Sequence, residues 1–176
     1  ETLEILREAG ITALIVTHDP EEALRIADRI VLMRAGAIEQ QADPETLYSR
    51  PASLYAARFC SALIELRGTS RAGRIATPLG EFAAGGLPEG APACIALRPH
   101  HVSPGATGVA AQVLSRTFLG ATRQLRVTVP GLDGPFEVEV FGPCEARAGD
   151  TVFLRVDVAS AHVFALGPDS SHRSPS

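Results

Sequence analysis

Ile15-Val16-Thr17-His18-Asp19-Pro20-Glu21-Glu22-Ala23-Leu24 is the stretch on which the reading of this chain turns. With Ile11-Thr12-Ala13-Leu14 before it, it opens as a nearly continuous apolar run. Such a run predicts a strand buried on both faces of a parallel sheet. Asp19 then stands where a helix N-cap belongs, Pro20 at the first helical position, and Glu22 three residues beyond the cap. His18 falls between strand and cap, at the carboxyl end of the strand, where open α/β sheets hold their ligands. Ala27-Asp28-Arg29-Ile30-Val31-Leu32-Met33 closes the unit with a second strand.

The flanking sequence extends the same pattern. Leu3, Ile5, Leu6 and Ala9 form a short helical stripe ending at Gly10. Asp43-Pro44-Glu45 repeats the capping device and opens a helix through Leu47 and Tyr48. Between the two caps, 29–41 predicts a hairpin turning at Ala35-Gly36, and Pro51 to Phe59 predicts a further short helix. Residues 1–67 therefore predict part of an α/β domain.

Composition narrows the function. The 176 residues are 45% apolar with a formal charge of −4. Residues 1–67 carry seven arginines against eleven acidic residues, and 68–176 carry nine against nine. Neither segment has the basic excess that phosphate-backbone binding requires, so nucleic acid is not expected as a partner. The chain has no lysine. A P-loop, Gly-x-x-x-x-Gly-Lys-Ser/Thr, needs one to reach the β- and γ-phosphates, so this chain contains none. Cys60, Cys94 and Cys144 are odd in number and widely spaced, which argues against a disulfide framework or structural zinc. No apolar run approaches the length of a membrane-spanning helix.

At Arg67-Gly68-Thr69-Ser70-Arg71-Ala72-Gly73-Arg74 the composition shifts to a linker-like stretch, and period-two alternation replaces helical spacing. Leu125, Val127 and Val129 alternate with polar residues, as do Phe136, Val138 and Val140 with Glu137 and Glu139. Residues 93–97, 109–118, 152–156 and 162–166 are further strand candidates, punctuated by Gly and Pro. Residues 68–166 thus predict a small antiparallel barrel. Its five phenylalanines from Phe118 onward are expected in the core rather than as a base-stacking platform. His100, His101, His162 and Cys144 invite a metal reading. Adjacent strand residues point to opposite faces, so the His100-His101 pair is not expected to chelate one ion, and no metal ligand is assigned. The tail from Gly167 to Ser176 is small, polar and expected to be disordered.

The run from Ile15 to Met33 resembles the histidine switch of ABC-transporter ATPases, in the importer branch that handles sugars, polyamines, sulfate and ferric iron. The likeness continues through Gly36-Ala37-Ile38-Glu39-Gln40, Pro44-Glu45-x-x-Tyr48 and Pro51 to Phe59. Ala42 departs from it, standing where the family commonly has glycine. Ile95-Ala96-Leu97-Arg98-Pro99-His100, Phe118-Leu119-Gly120 and His162-Val163-Phe164 resemble the TOBE domain, an OB-like barrel appended to ATPases of the same branch. His100 stands where that family often has glutamate.

The resemblance implies an α/β fold for 1–67, as the C-terminal part of a P-loop nucleotide-binding domain, followed by an all-β OB-like barrel over 68–166. It implies that His18 is catalytic, contacting the γ-phosphate of ATP and helping to position the attacking water, with ATP and Mg2+ as cofactors of the full-length protein. It implies a homodimer of ATPase subunits, transmembrane permease subunits as partners, and indirectly a periplasmic or extracellular solute-binding protein. The location implied is peripheral, on the cytoplasmic face of the inner membrane. With no Walker A, signature or Walker B segment, the chain alone is expected to be inactive. The rival reading is a non-enzymatic regulatory module whose barrel binds an oxyanion or a partner protein.

Overall fold

The computed structural model describes residues 10–167. They belong to two compact units that divide between Ser61 and Ala62. The strand ladders among the described residues are antiparallel. No helix among them is long and apolar enough to cross a membrane.

In the first unit each helix begins at a side-chain cap. Helix α1 (Pro20–Ile26) is capped by Asp19, whose Oδ1 accepts the N–H groups of Glu21 at 2.9 Å and Glu22 at 3.2 Å. Strands β1 (Ile30–Arg34) and β2 (Ala37–Ala42) form the predicted hairpin. Its two-residue turn places Ala35 at φ 48° and Gly36 at φ 82°, both positive as a type I′ turn requires. Pleating buries Ile30 and Leu32 and turns Val31 and Met33 to solvent, and the register shifts between Leu32 and Met33, where Glu39 on β2 is the extra residue. Helix α2 (Pro44–Ser49) is capped by Asp43, and α3 (Leu54–Cys60) by Ser53, which accepts from Ala56 N–H at 3.2 Å. Gln40 clamps the connection between them: its Nε2 donates to the Arg50 carbonyl at 3.0 Å and its Oε1 accepts the Ala52 N–H at 2.8 Å. Ala23, Ile30, Leu32, Leu47, Ala56 and Cys60 pack as one small core.

One expectation for this unit is not met. Residues 11–16 form no strand, and Leu14 and Val16 are 93% and 91% exposed. A strand buried on both faces needs neighbours on two edges and two faces, and no described strand pairs with it. The predicted helix over Leu3 to Ala9 lies outside the described residues, as does the tail beyond Gly167.

The second unit is all β. Its strands are β3 (Ile64–Thr69), β4 (Arg74–Thr77), β5 (Gly80–Ala83), β6 (Pro92–Leu97), β7 (Val102–Gly105), β8 (Val109–Phe118), β9 (Thr122–Thr128), β10 (Phe136–Phe141), β11 (Thr151–Val156) and β12 (His162–Ala165). They form a five-stranded sheet in the order β10-β9-β8-β11-β7, a three-stranded sheet β12-β6-β3, and the β4-β5 pair. The larger sheet curls until its edge strands β10 and β7 touch, a nearly closed barrel. Val113, Val127 and Phe136 oppose one another across three strands, as do Leu125 and Val138 across two. With Ile75, Phe82, Ile95, Leu97 and Leu154 they fill one core.

The linker-like stretch after Arg67 is part of this fold. Strand β3 runs to Thr69, and Arg71 bridges to Arg74 around a tight turn. Gly68 sits where β3 passes β4, and a Cβ there would collide with the Ile75 side chain. The glycine thus marks a close backbone approach rather than a flexible joint. Ile64 and Leu66, expected before the boundary, are core residues of the barrel, so the second unit begins several residues earlier than composition indicated.

Candidate functional site

His18 lies just before Asp19, the cap of α1, with its side chain exposed. Its peptide is braced toward the helix. The Thr17 hydroxyl accepts the Asp19 N–H at 3.0 Å, and the Asp19 carboxylate turns the other way to cap the helix. Glu21 and Glu22 occupy the first turn, where the helix dipole favours acids. What results is one exposed imidazole tied to the start of α1 through Thr17 and Asp19, with the run before Thr17 exposed and in no strand. It is able to offer an N–H to an anionic oxygen. Among the described residues nothing places a second phosphate ligand beside it.

The barrel holds a different cluster, at the end of β6. Arg98, 2% exposed, is its most buried charged side chain. After it Pro99-His100-His101 forms a 3-10 turn, not the strand that the metal argument assumed, and the two imidazoles meet edge to face at 4.4 Å. The Arg98 N–H donates to His101 Nδ1 at 3.3 Å, which leaves the His101 proton on Nε2. The Asp157 N–H donates to the His101 carbonyl at 2.8 Å. Burial pushes the His101 pKa down to about 4, reinforced by the charges of His100, Arg98 and His162 and opposed by Asp157. His162, on β12, is lowered first by burial and then by Arg98. Two neutral histidines beside a buried guanidinium have the electrostatics of a closed turn. No group of three or more His, Cys, Asp or Glu among the described residues is arranged to hold a metal ion.

Three of the five phenylalanines from Phe118 onward depart from expectation. Phe118, Phe141 and Phe153 are 67%, 71% and 44% exposed, while Phe136 packs against the core as expected. Phe118 ends the long β8 at the tip of the β8-β9 hairpin, under the Arg123 guanidinium at 5.3 Å. Phe141 follows the inward Val138 and Val140 by an odd step and so points outward.

Residues 95–164 match the family model of the TOBE domain. The chain is 37% identical over 174 residues to the sn-glycerol-3-phosphate import ATP-binding protein of Chromohalobacter salexigens, covering 93% of this chain and 47% of that protein. It is 34% identical over 169 residues to a sulfate/thiosulfate import ATP-binding protein of Chromobacterium violaceum, covering 92% and 47%. Over 152 residues it is 40% identical to the spermidine/putrescine import ATP-binding protein of Methylococcus capsulatus, covering 73% and 37%. The chain belongs with the ATP-binding subunits of ABC importers. It spans about half the length of the first two of these relatives. The barrel end that carries the buried Arg98 lies inside the matched TOBE region, as does His162.

Proposed function

We propose that this chain is the C-terminal part of the energy-coupling subunit of an ABC importer for a small polar solute or ion, in which ATP hydrolysis drives transport. The observation that carries the proposal is the match of 93% of the chain to a protein named for ATP binding in import. Relatives named for glycerol-3-phosphate, sulfate, ferric ions and polyamines stand at similar identity. What they share is ATP binding for import, and the proposal stays at that level.

In this reading residues 1–67 are the end of a nucleotide-binding domain and 68–166 its appended barrel. ATP and Mg2+ belong to the complete domain, where ATP supplies the phosphoryl group and the metal neutralises its developing charge. His18 fits such a ligand: it is exposed, braced to the start of α1 through Thr17 and Asp19, and able to donate to a γ-phosphate oxygen. The complete subunits pair with each other and with transmembrane permease subunits, at the cytoplasmic face of the membrane, with a solute-binding protein delivering the cargo. The chain on its own does not turn over ATP.

His18→Ala in the full-length subunit tests this. Hydrolysis is expected to fall by about 100-fold or more, the usual effect of removing one preorganised donor, with nucleotide binding retained. Turnover near the wild-type rate would overturn the catalytic assignment, as would hydrolysis by the clean 176-residue chain.

A further inference from the structure

His18 is exposed, but the residue before it is half-buried. Its hydroxyl oxygen accepts the Asp19 N–H at 3.0 Å, which closes a small side-chain turn around His18. Asp19 is then used twice. Its N–H is committed to Thr17, and its Oδ1 accepts the N–H groups of Glu21 and Glu22 at the start of α1. The two braces act in series, so the peptide that carries the imidazole is tied to the helix through Thr17 and Asp19 together.

We propose that Thr17 is the positioning residue for His18, and that its hydroxyl sets the direction in which the imidazole meets a phosphoryl oxygen. This rests on the reading of His18 as the γ-phosphate contact. The energetics separate positioning from a structural role. The Asp19 N–H is at an exposed position, so losing its acceptor hands that donor to water at little cost in stability. The direction of a side chain on a freed peptide is another matter, because a misplacement of about 1 Å is enough to lose about 100-fold in rate.

The test uses the full-length subunit with three substitutions. Thr17→Val keeps the shape and removes the acceptor, Thr17→Ser keeps the acceptor, and His18→Ala removes the ring. Thr17→Val is expected to lower kcat about tenfold or more, with KM for ATP within about twofold and the melting temperature within about 2 °C. Thr17→Ser is expected to restore most of the rate. Wild-type kcat in Thr17→Val would overturn the inference. So would equal losses in Val and Ser variants, or a loss of rate that tracks a loss of melting temperature. His18→Ala separates the two claims. If it retains turnover, the reading of His18 fails; if it loses turnover while Thr17→Val does not, only the positioning role fails.

Discussion

The backbone N–H of Arg98 donates to the Nδ1 of His101 at 3.3 Å, so the turn that ends β6 is closed by an imidazole that must be neutral. A protonated ring would present a donor to a donor, beside a guanidinium that is 2% exposed. The sign of the pH effect follows. The unfolded imidazole takes up a proton near pH 6.5, while the folded one resists until about 4. The contribution to stability is therefore fully present above about pH 6.5 and is lost as the pH falls towards 4. His162 acts in the same direction. The ring is partly solvated, so the loss attached to His101 should be on the order of 1 kcal/mol. Urea denaturation between pH 7.5 and 4.5 measures it. His101→Asn, which keeps an acceptor and cannot titrate, should flatten the dependence. An unchanged slope in that variant would remove His101 from the account.

Gly108 lies at φ 141°, where β8 begins beside β11. A Cβ there would overlap the Leu154 carbonyl oxygen and come within 2.7 Å of its carbon. The neighbour is backbone held in a ladder, so it has no cheap way to move. Gly108→Ala should cost about 3 kcal/mol, from overpacking and an unfavourable φ together. Thermal melting with β-sheet circular dichroism reads this, and a melting temperature near wild type would show that the ladder yields.

Local chemistry was legible in the sequence; relations between distant residues were less so. Asp19-Pro20 and Asp43-Pro44 predicted helix starts because a cap depends on residues two or three apart. The alternation of Phe136, Val138 and Val140 placed the inward face of β10, since pleating has a fixed period. Residues 11–16 were legible as apolar, but burial is a property of neighbours, and the described residues do not supply them. Gly68 read as a linker because a glycine needed for close approach has the same letter as one needed for flexibility. The 3-10 turn at His100-His101 followed from Pro99 at its first position, a signal present in the sequence that the strand reading overrode. For the candidate site, the sequence indicated Asp19 as the cap and placed His18 just before it, while the exposure of the ring came from the structure. The bond from Asp19 to Thr17 required coordinates.

Ala35 occupies the left-handed region at φ 48° in the β1-β2 turn. A residue with a Cβ loses about 1 kcal/mol there, part of which glycine returns by being freer in the unfolded chain. Ala35→Gly should therefore stabilise the hairpin by about 0.5 kcal/mol, and Ala35→Val should destabilise it by more. Hydrogen exchange at the amides of β1 and β2 is the direct readout. Faster exchange in Ala35→Gly would mean that the turn is not strained.

Residues 11–16 present Ile11, Leu14, Ile15 and Val16 to solvent, at 56%, 93%, 48% and 91% exposure. The segment is uncharged, β-prone and free of proline, the composition that pairs readily with another chain. Two outcomes follow from the proposed place of this run in a parallel sheet. In the 176-residue chain its amides should exchange within seconds, and the chain should self-associate as its concentration rises. Leu14→Arg with Val16→Arg should suppress that association by adding charge to the exposed run. In the full-length subunit the same amides should be among the slowest to exchange, because strands on both edges and helices on both faces would then cover them. Fast exchange of 11–16 in the full-length protein would mean that the run is no sheet strand, and His18 would lose the scaffold that the proposed chemistry assigns to it.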